Sequence, residues 1–183
     1  RRQRQMCIRD SAWNDQRPAT HFATQKVDYI LNPSASHFAF GKSKIREALV
    51  ASSSKKFNCT YIYTNLLGNE AGRMIYDGEI LIAKDGVIIN KNALCSFKKV
   101  NLLSEESPSI KEYSKNEEFL LAARLSLYDY MRKAFAKGYV LSLSGGADSS
   151  TCAVLVSEML KTALSELSIS EIKADSFYLK ALI

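Results

Sequence analysis

The chain has few of the side chains that bind metals or form disulfides, since its 183 residues include two histidines and four cysteines. No cysteines are spaced as Cys-x-x-Cys, so the pattern supports neither a zinc site nor a disulfide framework. An apolar run of the roughly 18 residues that cross a bilayer is also missing. The first residues lack the apolar core of a signal peptide. These absences predict a cytoplasmic chain with reduced thiols and no membrane partner.

Positive charge is in modest excess, with 25 lysines and arginines against 19 acidic residues and a formal net charge of +6. Such an excess favours polyanionic partners. The basic residues are scattered, however, apart from the first few positions and short pairs such as Lys55-Lys56. We therefore expect no nucleic-acid partner.

The first eleven residues, RRQRQMCIRDS, resemble the translation of a transposase mosaic-end adapter from a sequencing library. Segments of such origin are set aside before the fold is considered, so we expect residues 1–11 to be non-native. The alternative is a genuine basic N-terminal arm. If the adapter interpretation holds, Cys7 is not a catalytic cysteine.

Residues 18–57 have the pattern of an α/β protein. We expect a short helix at 18–26, a strand at 27–31 and a helix at 44–57. The second helix has Ile45, Ala48 and Leu49 at helical spacing, and its Ser52-Ser53-Ser54 run is expected to fray its end.

Between strand and helix, residues 32–38 read Asn-Pro-Ser-Ala-Ser-His-Phe. Pro33 is expected to stop the strand, which leaves a loop where open α/β folds commonly bind ligands. Ser34, Ser36 and His37 are therefore site candidates. An alternative of equal weight is that the serines cap the following helix.

Residues 59–91 predict β structure. A strand at 59–63 alternates Cys59 with two tyrosines, so this cysteine is expected to face a packed layer. Residues 65–72 are rich in turn formers and predict a loop. Asp85-Gly86 predicts a hairpin between strands at 79–83 and 87–89.

Residues 101–116 show little apolar periodicity, which predicts an interdomain linker at 104–116. An amphipathic helix follows at 117–136, with Leu120, Ala123, Leu127, Met131 and Ala134 on its expected apolar face. A strand is then expected at 139–141. After the next loop another helix places Cys152 among apolar residues, which predicts a small buried thiol.

The loop between that strand and helix is Ser142-Leu143-Ser144-Gly145-Gly146-Ala147-Asp148-Ser149. Two glycines let the backbone approach a ligand, the serines offer hydroxyl donors, and the helix N-terminus favours an anion. The pattern predicts a phosphate or pyrophosphate site. It lacks the lysine of a P-loop and the spacing of a dinucleotide-binding fold. Asp148 suits either a magnesium ion or the loop's own N–H groups.

This loop resembles the pyrophosphate loop of the ATP pyrophosphatases, which split ATP between its α and β phosphates. Further motifs look like glutamine-dependent NAD⁺ synthetase: Asn32 to Lys42, Tyr63-x-Asn65-Leu66-Leu67-Gly68-Asn69-Glu70-Ala71-Gly72-Arg73, and Tyr76-Asp77-Gly78. The resemblance implies an α/β fold in which residues 12–103 are the C-terminal part of an αββα nitrilase-like amidase domain. It also implies that residues 117–183 begin a parallel-sheet synthetase domain, so we expect a fragment truncated at both ends.

The resemblance implies that the parent enzyme adenylates the carboxylate of nicotinic acid adenine dinucleotide with ATP and Mg²⁺. Ammonia from glutamine then displaces AMP to give NAD⁺. The family's glutamine contacts fall on Ser36 and Lys42, and its ATP loop falls on residues 142–149. The family also implies a homo-oligomer. The amidase Glu, Lys and Cys have no counterpart here, so we expect the fragment itself to be inactive.

Two alternatives remain open. Another ATP-pyrophosphatase amidotransferase would share the loop, although such enzymes pair it with amidase domains of other folds. A binding module could also retain a pyrophosphate loop without catalysis.

Overall fold

The computed structural model describes residues 20, 26–100, 103, 111–136 and 138–175. The adapter-like segment 1–11, nearly all of the helix predicted at 18–26 and most of the predicted linker lie outside these residues. The elements, in chain order, are β1 Tyr29–Ser34, α1 Lys42–Phe57, β2 Thr60–Asn65, β3 Leu67–Glu70, β4 Met74–Asp77, β5 Ile80–Lys84, β6 Val87–Lys91, α2 Lys115–Lys133, α3 Ala147–Glu166 and α4 Ile169–Asp175.

The main sheet has four strands in the order β1-β2-β5-β6. Strands β1 and β2 are parallel, and α1 forms the crossover that parallel neighbours require. The other two pairings are antiparallel. The β5–β6 hairpin turns at Asp85-Gly86 as predicted, with both residues at positive φ, as the preferred two-residue hairpin turn demands.

Strand β1 is longer than predicted, since it continues through Pro33 to Ser34. The carbonyl oxygens of Asp28 and Ser34 accept hydrogen bonds from β2 and its end. Backbone groups of successive residues in a strand point to opposite edges. Pro33 lies at an odd-numbered position between the residues that bond to β2, so the N–H that it lacks would have pointed away from β2. An edge strand tolerates proline in such a position.

The loop predicted at 65–72 is also wrong. Half of it, Leu67–Glu70, forms β3, which pairs with β4 in a separate two-stranded sheet. The turn between these strands uses Ala71 and Gly72, both at positive φ. Turn-forming residues therefore marked the tip of a hairpin rather than a continuous loop.

Helix α1 begins near the predicted residue, but the predicted apolar face is wrong. Ile45 is 57% exposed, whereas Arg46 is 1% exposed. The serines do not fray the helix: the hydroxyls of Ser53 and Ser54 donate to carbonyls three or four residues earlier, and both residues are fully buried. Small polar side chains thus let this helix approach the sheet closely.

One face of the main sheet packs against α1 through a cluster of seven buried residues: Val50, Phe57, Cys59, Tyr61, Tyr63, Leu81 and Ala83. The predicted burial of Cys59 is confirmed. The opposite face is also apolar, yet Tyr29, Leu31 and Val87 are between 62% and 70% exposed there. The sheet therefore presents an open apolar face within the described part of the chain.

Helices α2, α3 and α4 surround a second core with residues 94–97. Helix α2 starts with a capping box between Ser114 and Glu117. Its buried face is centred on Leu125 and Tyr128. Of the face predicted for it, only Met131 is fully buried, and Ala134 is exposed beyond the helix end.

Two predictions for the following segment are wrong. Residues 139–141 form no strand within the described ranges, and Val140 is completely exposed. Cys152 is exposed, because α3 directs its buried face through Met159 and Ala163 instead. No helix in the described ranges is long and apolar enough to cross a membrane.

Candidate functional site

The segment between β1 and α1 is held by side chains from β2. Ser36 is 3% exposed, and its N–H donates to Asn65 Oδ1 at 2.8 Å. Asn65 Nδ2 donates in return to the Ser36 carbonyl at 2.9 Å. Ser36 is therefore fixed by its backbone at the end of the parallel strand pair.

Lys42 opens α1 on the same segment. Its Nζ donates to the His37 carbonyl at 2.9 Å, so the Lys42 ammonium group contacts the loop directly. The cap of this helix is Gly41 in the left-handed region, without a side-chain hydrogen bond. The interpretation of the serines as helix caps is therefore wrong. Ser34 instead ends β1 and donates to Asn32 Oδ1.

A buried charge cluster lies behind this segment. Arg46 forms a two-point ion pair with Asp77, whose Oδ1 lies 3.0 Å from Nη1. Arg46 Nε also lies 2.8 Å from Glu79 Oε2, and all three side chains are at most 1% exposed. Burial alone would lower the pKa of Arg46, but Asp77 and Glu79 outweigh it and the pKa is raised. The guanidinium thus stays charged inside the protein.

The cluster extends to three further groups. Burial raises the pKa of Glu79, and the opposing effect of Arg46 does not cancel it. Ser43 Oγ donates to Glu79 Oε1 at 2.5 Å, and Lys91 Nζ lies 3.5 Å from the same oxygen. Burial also raises the pKa of Tyr63, which lies beside Arg46 and Ser36. The region under Ser36 is therefore polar, buried and tightly paired.

The segment 142–149 is built differently. Gly145 has φ +81°, which favours glycine, and Gly146 is the extended N-cap of α3. Residues 142–148 are all exposed. The first N–H groups of a helix have no carbonyl partner within the helix, so the start of α3 directs donors and a partial positive charge toward this turn.

Hydroxyl groups hold the turn closed. Ser149 Oγ accepts from the Ser144 N–H at 3.3 Å and lies 3.2 Å from Ser144 Oγ. It also donates to the Gly146 carbonyl at 3.2 Å. The structure therefore brings together Ser144, Gly145, Gly146 and Ser149, whereas Leu143 is 66% exposed and joins no such contact among the described residues. An anion that met the backbone of this turn would also meet its two hydroxyls.

Helix α2 contacts both halves of the described chain. Asp129 is fully buried, and its Oδ2 accepts from the Asn69 N–H on β3 at 2.5 Å. Glycine at position 68 leaves room for this contact, because a Cβ atom on it would lie 2.4 Å from that oxygen. Near the helix start, Glu118 Oε2 accepts from the Gly41 N–H at 2.9 Å. Toward the other end, the Leu127 carbonyl accepts from Tyr139 at 2.6 Å, which anchors the approach to residues 142–149.

Sequence reasoning assigned no site role to Arg46, Asn65, Asp77 or Glu79. An arginine in a helix next to lysines and glutamates is typical of a solvated face. The useful signal was the position of Asn65 and Asp77 inside the two motifs that carried the family resemblance. Within the described ranges, His, Cys, Asp and Glu side chains form no group of three or more that could hold a metal ion.

Several known proteins are similar to this chain. The family model for NAD synthase matches residues 120–176, which include α3 and the loop before it. The glutamine-dependent NAD(+) synthetase of Synechocystis is 30% identical over 171 residues, covering 84% of this chain. The human glutamine-dependent NAD(+) synthetase is 25% identical over 199 residues, covering 83% of it.

A crystal structure of a glutamine-dependent NAD(+) synthetase from Cytophaga hutchinsonii superimposes with a TM-score of 0.77 and 53% identity over 88% of this chain. The chain is homologous to one part of the glutamine-dependent NAD(+) synthetases. The synthetase from Acinetobacter baumannii, solved with adenosine diphosphate, has a TM-score of 0.66 and 19% identity over 77% of the chain, which shows the shared fold alone.

The chain spans less than a third of the synthetases it matches: 31% of the Synechocystis protein, 28% of the human protein and 27% of the Cytophaga chain. The mixed α/β architecture, with parallel and antiparallel strands, is similar to that of the Cytophaga synthetase structure.

Proposed function

We propose that this chain is part of an enzyme that amidates nicotinic acid adenine dinucleotide to NAD⁺ with glutamine as the amide donor. The substrate carboxylate attacks the α phosphate of ATP, which releases pyrophosphate and forms an adenylate. Ammonia from glutamine then attacks the carbonyl carbon and AMP leaves. The observation that carries the proposal is the exposed Gly145-Gly146 turn at the start of α3, inside the NAD synthase match.

We assign ATP binding to residues 142–149. The free N–H groups at the start of α3, the two serine hydroxyls and the close backbone approach at the glycines all suit a pyrophosphate. The adenosine diphosphate in the Acinetobacter synthetase supports a nucleotide in this fold. Leu143 contributes through its backbone only in this assignment.

Magnesium fits as part of the nucleotide rather than as a resident ion. Mg²⁺ typically binds one or two carboxylates together with substrate phosphates and water. Asp148, in the first turn of α3, is the carboxylate that would hold it. When bound, the ion would neutralise charge on the leaving pyrophosphate.

We assign the amino-acid end of glutamine to Ser36 and Lys42, with the ammonium opposite the α-carboxylate. We propose no catalytic residue for glutamine hydrolysis among residues 12–183. The open apolar face of the main sheet supports the αββα assignment of residues 12–103, because such a face packs against a second sheet in that architecture. The linker at 104–116, the synthetase segment at 117–183, a cytoplasmic location and homo-oligomerisation of the whole enzyme remain predictions.

The ATP assignment can be tested by titrating the chain with Mg-ATP and with pyrophosphate. Gly145→Ala should weaken the binding of Mg-ATP and of pyrophosphate by roughly tenfold. That factor corresponds to the free-energy cost of an alanine in the left-handed region. Gly138→Ala is the matched control, since Gly138 has φ +144° and, like Gly145, no atom within 4 Å of an added Cβ.

Equal losses of affinity in Gly145→Ala and Gly138→Ala would contradict the assignment. Absence of nucleotide binding by the unmodified chain would also contradict it. In the whole enzyme, NAD⁺ and AMP should appear in equal amounts. Pyrophosphate binding without any NAD⁺ formation would favour a non-catalytic module.

A further inference from the structure

The carboxamide of Asn65 continues the parallel strand pair beyond its end. The last backbone contact of that pair is the Leu66 N–H with the Ser34 carbonyl at 2.9 Å. Ser36 lies two residues beyond Ser34, the last residue of β1. Its backbone N–H and carbonyl both form hydrogen bonds with the Asn65 side chain, at 2.8 and 2.9 Å. A side-chain amide here replaces the peptide that a longer strand would supply.

The orientation of this carboxamide is fixed from behind. Asn65 Nδ2 also donates to Asp77 Oδ1 at 2.7 Å. An ionised carboxylate only accepts hydrogen bonds, so Asn65 must present its nitrogen to Asp77 and its oxygen to the Ser36 N–H. Both donors and the acceptor of the amide are thereby used.

Asp77 is itself immobilised. Its Oδ1 accepts from Arg46 Nη1 at 3.0 Å and from the Glu79 N–H at 3.2 Å, and its other oxygen pairs with Arg46 Nη2. Arg46 lies one helical turn after Lys42, so the two residues project from neighbouring positions on α1. Lys42 Nζ reaches the carbonyl of His37, the residue after Ser36.

These contacts close a ring that runs from Ser36 through Asn65, Asp77, Arg46 and α1 to Lys42 and back. We propose that Asn65, anchored by Asp77, is a positioning residue for glutamine. It fixes the separation of Ser36 and Lys42 before the ligand arrives. The inference rests on the proposed assignment of those two residues to glutamine. Fixing the geometry in advance removes an ordering cost that binding would otherwise include.

The experiment is an NMR titration of the 183-residue chain with L-glutamine, together with amide hydrogen exchange. The variants are Asn65→Ala and Asn65→Thr; threonine suits a strand position and offers a second chance of a folded protein. Val50→Ala is the control, since Val50 is a fully buried residue of α1 that belongs to the apolar cluster.

We expect both Asn65 variants to weaken glutamine binding by roughly tenfold, as the loss of buried hydrogen bonds implies. The Ser36 amide should exchange faster in them. Val50→Ala should lower the melting temperature yet leave the glutamine Kd within about twofold, since its cavity costs stability rather than loop geometry.

Equal effects of Asn65→Thr and Val50→Ala on the Kd would overturn the positioning role and leave the glutamine assignment intact. Absence of glutamine binding by the unmodified chain would overturn the assignment itself. In the unmodified chain the Ser36 amide should exchange as slowly as that of Leu66. Fast exchange there would contradict the inference even if no variant folds.

Discussion

The two ligand segments proposed for this chain are stabilised in opposite ways. Ser34–Lys42 is held by a buried network in which Arg46, Asp77 and Glu79 are at most 1% exposed. Ser142–Ser149 is exposed along nearly its whole length and is held by the hydroxyls of Ser144 and Ser149. The first segment therefore depends on the core of the protein, and the second depends on local backbone chemistry.

This difference matches the two ligands that we propose for the segments. The amino-acid end of glutamine is small and must be distinguished by the placement of a few groups, which favours a rigid site. A pyrophosphate carries several equivalent oxygens and is bound by backbone N–H groups wherever a helix N-terminus and glycines allow it. Substitutions should therefore affect stability at the first segment and mainly affinity at the second.

Breaking the buried network should have the largest effect. Arg46→Met keeps the apolar stem but leaves Asp77 and Glu79 buried without their cation, so the free energy of unfolding should fall by about 3–5 kcal/mol. The measurement is urea denaturation. Lys44→Met on the same helix is the control, because its ion pair with Glu112 is exposed and should be worth less than about 1 kcal/mol. Similar losses in both variants would mean that the network adds no special stability.

A smaller effect is expected at Gly68, where the two halves of the chain meet. Gly68→Ala would place a Cβ atom 2.4 Å from Asp129 Oδ2 at φ +109°. The expected loss is about 2–3 kcal/mol, from overpacking and backbone strain together.

Gly41→Ala isolates the strain, since Gly41 has φ +69° with open space around it, and should cost about 1 kcal/mol. Differential scanning calorimetry would also show whether the halves still melt together. If the two variants were equally stable, Asp129 would have moved aside at no cost.

The smallest effect on stability is expected at Ser149. Ser149→Ala removes the hydroxyl that bridges Ser144 and Gly146, but the turn is exposed, so stability should change by less than about 0.5 kcal/mol. Mg-ATP affinity should nevertheless fall several-fold, as calorimetric titration can show. Ser150→Ala, one position along, is the control and should alter neither quantity. A stability loss comparable to that of Arg46→Met would erase the contrast between the segments.

Local patterns predicted the parts of the fold that local interactions determine. The Asp85-Gly86 hairpin needs positive φ at both turn residues, and an Asp-Gly pair favours that conformation, so the sequence predicts the turn. Helix α2 starts two residues before its predicted position, where Ser114 and Glu117 form the capping box. The turn at Gly145 and Gly146 could likewise be predicted from the sequence, because its conformation depends on local residues.

What the sequence did not reveal depends on distant partners. Arg46 can be buried only because Asp77 and Glu79 lie against it, 31 and 33 residues further along the chain. A pattern that equates burial with apolar side chains therefore chose the wrong face of α1. The strand expected at 139–141 is absent from the described residues for the same kind of reason, because a segment forms a strand only beside a partner.

Helix α2 also carries a constraint on length. Its contacts with Gly41 and Asn69 are made by Glu118 and Asp129, which are eleven residues apart. At 3.6 residues per turn this spacing returns to within about 20° of the same side of the helix. Inserting or deleting one residue between them would rotate one contact by about 100° relative to the other. The intervening surface positions can accept other side chains, but the number of residues between the two contacts is set by the phase of the helix.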